Sequence, residues 1–245
     1  MSEPSRTLTN EAARLSEYDR WLGAPRASST AMRWLMGRAG AFAVNGPVFN
    51  LKANLRLEPW MRVLDIGCGR GTVLRLLDQK VQFDKPPVGL DFSRSMLRLA
   101  RSDAPAGSPD LDLTRGLATT LPFATESFDL VLSGYLLKHL DEDELRTFFI
   151  ELYRVLAPGG LALLWEFAPS GNERLDAWNR RVVSTGVGKP RLRSSRALMS
   201  LAELTGFPYI RNARLRPFLL PPIPRASVLV GKPPEGWQDA QTPPA

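Results

Sequence analysis

One run of ten residues, Val63-Leu64-Asp65-Ile66-Gly67-Cys68-Gly69-Arg70-Gly71-Thr72, constrains the fold of this chain more than any other stretch. Val63, Leu64 and Ile66 form a short apolar, β-leaning segment suited to a buried parallel strand. Glycines at 67, 69 and 71 break it before the leucine-rich segment Val73 to Leu77. The implied order is strand, glycine loop, helix, the unit from which open α/β sheets are built. Glycine at alternate positions lets the backbone enter positive φ, and it lets a ligand reach main-chain N–H groups with no Cβ between them. A nucleotide-type guest fits such a loop.

Two details narrow the guest. The dinucleotide fingerprint requires G-x-G-x-x-G, whereas here the third glycine arrives one position early, at 71, and Thr72 stands where that pattern needs glycine. Asp65 places a carboxylate at the strand end beside the loop, where it repels a pyrophosphate and attracts an ammonium group. Twenty residues past Gly71, Val88-Gly89-Leu90-Asp91 reads as a second strand ending in an acid, placed to accept both hydrogen bonds of a ribose diol. S-adenosylmethionine (SAM) combines a ribose with a cationic amino-acid end.

With these residues in view, the segment resembles motif I of the class I SAM-dependent methyltransferases, and later segments follow that family in order. Phe92-Ser93-Arg94-Ser95-Met96-Leu97 resembles the helix start after the ribose acid. Leu121-Pro122-Phe123, Ser127-Phe128-Asp129-Leu130-Val131 and Arg154-Val155-Leu156-Ala157-Pro158-Gly159-Gly160 are similar to the landmarks of its small-molecule branch, which includes quinone-biosynthesis methyltransferases. The resemblance covers roughly residues 60 to 167, with a looser fit to 232. It implies an α/β fold: a doubly wound, Rossmann-like, seven-stranded sheet with an N-terminal helical cap. SAM is the implied cofactor and S-adenosylhomocysteine its product. The implied cofactor-binding residues are Asp65, Gly67, Cys68, Gly69, Asp91, Phe92, Met96, Leu117, Ala118 and Ser133. One departure stands out: the family commonly places an acid after the glycine of the third strand, and here Gly116 is followed by Leu117 and Ala118. The adenine site is therefore expected to be apolar, with ring-edge contacts from backbone alone.

The remaining segments are organised around this core. Residues 1–58 are expected to form a helical cap, from Leu15, Tyr18 and Leu22 and then Met32, Leu35, Met36, Ala39 and Ala43 at helical spacing. Trp34, Phe42 and Phe49 are candidates for pocket lining or, more often at such spacing, plain core, and a lesser alternative for 31–44, where Arg33 and Arg38 flank an apolar face, is a helix on a membrane surface. Residues 59–232 are the expected methyltransferase core. Within them the helix beginning at Ser93 has a serine N-cap, Asp141 with Glu144 resembles a capping box, and Leu145, Phe148, Phe149, Leu152 and Leu156 share one helical face, stopped by Pro158-Gly159-Gly160. Residues 169–196 show little apolar periodicity and seven basic side chains: Arg174, Arg180, Arg181, Lys189, Arg191, Arg193 and Arg196. They read as a mobile lid whose arginines meet an anionic part of a substrate. Tyr209 to Leu215 and Ala226 to Val230 read as final strands joined by a proline-rich loop, and 233–245 as a disordered tail.

A net charge of +7 favours an anionic partner, unless it reflects an arginine-rich composition alone. The single cysteine, Cys68, excludes an intrachain disulfide and any cysteine metal cluster, so no metal site is expected and a cytoplasmic setting is the simplest. No apolar run approaches the length of a membrane span, and the polar start lacks a signal-peptide core. A soluble monomer or homodimer is expected.

Transfer from a sulfonium needs an in-line nucleophile and exclusion of water more than a strong catalyst. The sole histidine, His139, is the candidate catalytic base, in a Leu137-Lys138-His139-Leu140 turn that lacks the first histidine of the family's Leu-His-His-Leu-like version. Tyr135 is the alternative. C5-pyrimidine methylation would need a cysteine nucleophile, and Cys68 lies in the cofactor loop. Amide-nitrogen methylation usually carries an Asn/Asp-Pro-Pro-Tyr signature, whereas this chain has Ser133-Gly134-Tyr135-Leu136. A small-molecule acceptor is the leading expectation: a hydroxyl, carbon or amine on a natural product, quinone or lipid-like compound. The alternatives are RNA modification through the basic segment and a SAM-binding scaffold for a non-methylating reaction.

Overall fold

The glycine loop follows β1 (Val63–Ile66), all of whose residues are buried, and leads into α1 (Thr72–Val81), which sinks Val73, Leu74 and Leu77 into the core. The computed structural model describes residues 57–102, 111–183, 190–215 and 222–236, together with Glu17, Asp19, Arg20, Leu55, Ala104, Gly107, Phe218 and Leu219. The expected helices of 1–58 lie, apart from Glu17, Asp19 and Arg20, outside the described residues.

After α1 come β2 (Val88–Asp91), α2 (Arg94–Ser102), β3 (Asp112–Arg115), β4 (Phe128–Gly134), α3 (Glu142–Val155) and β5 (Leu156–Phe167). Next are α4 (Glu173–Val183), α5 (Ser195–Leu204), β6 (Tyr209–Asn212), the hairpin β7 (Phe218–Leu219) with β8 (Pro222–Ile223), and β9 (Arg225–Gly231). The main sheet has seven strands in the order β3-β2-β1-β4-β5-β9-β6. β3, β2, β1, β4 and β5 run parallel, and β9 is antiparallel to both its neighbours. This is the doubly wound seven-stranded sheet expected from the sequence. Order reverses between β1 and β4, so the carboxyl ends of these two strands flank the crevice where such sheets bind ligands.

Side-chain alternation divides the core between the two faces. On one, Leu64, Ile66, Val131, Leu164, Val228 and Val230 meet Phe148, Phe149 and Leu152 of α3 and Leu198 of α5. On the other, Val63, Leu130, Leu132, Leu163 and Leu229 meet Leu74 and Leu77 of α1 and Leu97 of α2. The predicted helix caps are present: the Glu144 N–H donates to the Asp141 carboxylate at 2.9 Å while the Glu144 carboxylate accepts from Asp141 N–H at 2.7 Å.

Three boundaries differ from expectation. Leu156 belongs to β5 and not to the helix, because it pairs with Phe128 before a register shift between Phe128 and Leu130; Pro158, Gly159 and Gly160 therefore lie inside the strand. β6 ends at Asn212, and the proline-rich connection to β9 contains the β7–β8 hairpin. The basic segment 169–196 contains a helix, α4, started by Asn172, whose side chain accepts from the N–H groups of Arg174 and Leu175 at 3.0 and 3.1 Å. At the other end, Pro233 accepts a hydrogen bond from Gly159 N–H at 3.0 Å, so the first of the proposed tail residues is held against β5; 237–245 lie outside the described residues. Among the described residues no helix is long and apolar enough to cross a membrane.

Candidate active site

The loop geometry follows from its glycines. Gly67, Gly69 and Gly71 have φ of +79°, +54° and +68°, the left-handed region that side-chain-bearing residues avoid. At Gly71 a Cβ would also lie 2.5 Å from Leu111 Cδ1. These turns direct the N–H groups of Gly67, Cys68, Gly69 and Gly71 to acceptors within the protein. Gly67 and Cys68 both donate to the Leu90 carbonyl, at 2.7 and 3.0 Å, and Gly71 donates to the Cys68 carbonyl at 2.8 Å. The Gly69 N–H donates to the Asp91 carboxylate at 2.8 Å. The sequence pattern suggested N–H groups offered to the ligand; the structure uses them to tie the loop to β2, and what the loop offers is close backbone approach between two acids.

Those acids are the chemical content of the site. Asp65, at the end of β1, is 3 % exposed, and no hydrogen bond or ion pair compensates its carboxyl among the described residues. Burial, and then the nearby Asp91 charge, push its pKa up to about 7. Asp91 is raised to about 6, chiefly by burial; the Ser93 and Gly69 N–H bonds oppose that rise and Asp19 adds to it. Each Asp91 oxygen accepts one backbone N–H at 2.8 Å, from Gly69 and from Ser93, which leaves each a second lone pair for a ribose hydroxyl.

The other predicted residues fall into place around this pair. Cys68 packs its thiol where a Cβ on Gly89 would come within 2.8 Å, and burial drives the thiol pKa well up, so it is a packing group and no nucleophile. Phe92 is half-buried, with the Arg115 guanidinium 4.7 Å above its ring and the Arg115 Nε donating to its carbonyl. Met96, 2 % exposed, belongs to the core under α2, whose N-cap is the Ser93 hydroxyl. Leu117 forms a bridge with Thr120, and Ala118 is buried beside it, directly after Gly116, whose N–H donates to the Asp91 carbonyl. Ser133 is wholly buried and donates its hydroxyl to the Ile66 carbonyl at 2.9 Å, joining the ends of β4 and β1. His139 closes a short 3-10 turn (Leu137–His139) that follows β4 and is partly exposed.

Five further residues take positions that the sequence does not signal. Asp19 accepts from the Ser93 hydroxyl and from Ser95 N–H, a second cap on α2 contributed from far upstream. Arg193, read as a lid cation, is buried: its guanidinium donates to the Leu137 and Leu140 carbonyls at 2.8 Å and to the Glu142 carboxylate. Lys138 and Glu166 form a buried pair, Nζ to Oε1 3.9 Å, beneath Tyr135. None of these links separates residues close in sequence, so spacing could not have found them. Asn179 of α4 is also fully buried, and neither amide atom has a hydrogen-bond partner among the described residues. Among the described residues, no three His, Cys, Asp or Glu side chains come together as a metal site would require.

A mostly parallel sheet with this strand order, a positive-φ glycine loop and two acids at the switch point form the kind of crevice in which open α/β sheets bind nucleotide-type ligands. Residues 63–160 match the family model described as a methyltransferase domain. The chain is 33 % identical over 129 residues to the 2-phytyl-1,4-naphtoquinone methyltransferase of Thermosynechococcus vestitus, covering 51 % of this chain and 55 % of the relative. It is 36 % identical over 110 residues to the demethylmenaquinone methyltransferase of Renibacterium salmoninarum, covering 45 % and 43 %. The chain thus spans about half the length of the curated relatives it matches. In fold, it superposes with a TM-score of 0.60 on a Thermotoga maritima SAM-dependent methyltransferase described as a possible histamine N-methyltransferase, at 22 % identity, covering 87 % and 97 % of the two chains.

Proposed function

We propose that the protein binds SAM and catalyses methyl transfer to a small-molecule acceptor, an aromatic or quinone-like compound in the range suggested by its relatives. The observation that carries this reading is the pair of Asp65, buried, and Asp91, half-buried, flanking three positive-φ glycines at the crossover of the sheet. Their burial is costly unless a cation and hydrogen-bond donors come between them, and SAM supplies an ammonium, a sulfonium and a ribose diol. When bound, SAM supplies an activated methyl group. Asp65 then faces the ammonium, Asp91 accepts from the ribose while holding Gly69 in place, and Leu117 and Ala118 pack beside the adenine.

Asp19 supports the further proposal that residues 1–58 act as a cap on the cofactor cleft, because it binds the first turn of α2 next to Asp91. Segment 169–196 is proposed as the cover of the acceptor side, since it follows β5 directly and buries Asn179, which has no hydrogen-bond partner among the described residues. In this reading His139 stands at the mouth of the cleft as the candidate base. A monomer or homodimer acting in the cytoplasm suits a chain whose one cysteine is buried and unlinked.

Calorimetry with SAM and S-adenosylhomocysteine tests the reading. Micromolar-range binding is expected, weakened at least about tenfold in Asp91→Ala, which loses charge-assisted hydrogen bonds of roughly 1.5–3 kcal/mol each. Wild-type protein that binds neither compound would sink it.

A further inference from the structure

α4 is turned the opposite way to the helices that pack on the sheet. Among its described side chains it buries Asp176 and Asn179, both polar, while Leu175 and Trp178 are 36 % and 46 % exposed. α1, α2 and α3 do the reverse, sinking leucine, methionine and phenylalanine. The inward side of α4 has a local cause. The Asp176 carboxylate accepts from the Ser170 N–H at 2.7 Å and from the Ser170 hydroxyl at 2.6 Å, which pins the helix start to the segment leaving β5. Outward, Leu175 and Trp178 keep apolar surface in water, which is unfavourable until something apolar meets it.

Helical spacing arranges this outer face. Arg174, Trp178 and Arg181 follow one another at i, i+4 and i+7 and so form one line along the helix, with Leu175 beside Trp178 at i, i+3. Arg180 is the remaining arginine of α4, and it lies near Asp176, whose charge it helps to balance. Arg174 and Arg181 are exposed on either side of the indole. Glu173, in the first turn, is the one exposed acid on the helix. An indole ring has an apolar body and a polar N–H, and an arginine can lay its stem on apolar surface while its guanidinium reaches a phosphate. Both side chains suit a boundary between hydrocarbon and water.

Three kinds of partner accept arginines around an apolar patch. A protein partner needs roughly 800 Å² of each surface, and two apolar side chains on one helix face fall well short of that. A nucleic-acid strand needs successive aromatic platforms, and Trp178 stands alone on this helix. An anionic bilayer asks for cations that meet headgroup phosphates and a small apolar wedge that enters between them. We infer that the outer face of α4 is a membrane-surface docking site, which seats Trp178 and Leu175 among the headgroups of an anionic phospholipid bilayer while Arg174 and Arg181 bind lipid phosphates. Because α4 follows β5 and is tied to its end through Ser170, docking holds the carboxyl edge of the sheet, where the glycine loop lies, close to the bilayer. The inference stands independently of the methyltransferase reading.

Co-sedimentation of the full chain with vesicles at low salt tests the site, using phosphatidylcholine alone and phosphatidylcholine mixed equally with phosphatidylglycerol. The mixed vesicles should bind the protein, and phosphatidylcholine alone at least about tenfold more weakly, since each arginine is worth about fivefold at an anionic surface. Arg174→Ala with Arg181→Ala should lower affinity for the mixed vesicles about twentyfold, and Trp178→Ser at least about fivefold, with unfolding midpoints unchanged because these side chains lie outside the core. A charge-matched pair on other elements, Lys85→Ala with Arg146→Ala, both exposed, should keep most of the binding. Failure to bind the mixed vesicles, equal loss in the two charge pairs, or undiminished binding by Trp178→Ser overturns the docking site; equal loss means that net charge alone draws the chain to the bilayer. RNA binding that the α4 pair abolishes, in a protein indifferent to vesicles, also overturns it and gives the face to nucleic acid.

Discussion

Asp65 and Asp91 retain protons at pH values where free carboxylates have lost them, and this fixes the sign of a pH effect. Their folded pKa values, about 7 and about 6, lie above the ordinary 3.8. The folded protein without a guest therefore binds protons that the unfolded chain has released, and stability present below pH 4 is lost as pH rises to about 7. For Asp65 alone the loss is roughly 4 kcal/mol, and chemical denaturation between pH 4 and 8 should show the decline flattened in Asp65→Asn. A cationic guest favours the charged acids, so SAM affinity should rise from pH 6 to pH 7.5, with proton release visible as a dependence of binding heat on buffer ionisation. Stability that is flat or rises over that range would remove the assignment of Asp65 as an uncompensated acid. These two acids were legible in the sequence because each lies at or next to the carboxyl end of a short apolar strand, the first beside the glycine loop. The direction of the loop N–H groups was not, since it depends on three φ angles and on the Leu90 carbonyl of a separate strand.

At the scale of elements, the sequence read most easily where one segment carries its own periodicity and punctuation. α3 announces itself through Asp141, Glu144 and a buried face from Leu145 to Leu152, whereas the 3-10 turn before it has no such signal and depends on Arg193, 51 residues downstream of Glu142. Charge density around residues 174–196 hid that arginine among its neighbours. Removing it leaves the Leu140 carbonyl without its guanidinium donor and the Leu137 carbonyl with the Leu140 N–H alone, so Arg193→Ala should destabilise the protein by roughly 2–4 kcal/mol. Arg191 is exposed, and among the described residues only its backbone N–H is used, donating to the Lys138 carbonyl at 3.0 Å. Arg191→Ala should therefore stay within about 0.5 kcal/mol of the parent. Thermal or urea unfolding of the two variants distinguishes a clamp from a pair of substrate-binding arginines, for which both would fold normally and both would lose acceptor affinity.

Considered as a whole, the molecule carries 32 basic against 25 acidic side chains, and their distribution decides between a small acceptor and RNA. Arg174, Arg180 and Arg181 are exposed on α4, and Arg196 is exposed at the start of α5. Trp178 is the one large aromatic exposed on α4, at 46 %, so the surface offers cations with little provision for stacked bases. The half-buried Arg225, by contrast, is paired with the Tyr135 phenol beside the Trp165 and Phe167 rings, away from α4. Binding to a generic single-stranded RNA should accordingly be weak, with a log-log salt slope no steeper than about −1.4, corresponding to two phosphates at roughly −0.7 each. The triple variant Arg174→Ala, Arg180→Ala, Arg181→Ala should leave S-adenosylhomocysteine affinity unchanged, because α4 contributes none of the residues around Asp65 and Asp91. Fluorescence anisotropy from 50 to 300 mM salt measures the slope. A slope near −3 or steeper that collapses in the triple variant, together with SAM-dependent methylation of the RNA, would make α4 a phosphate-binding face and RNA the acceptor.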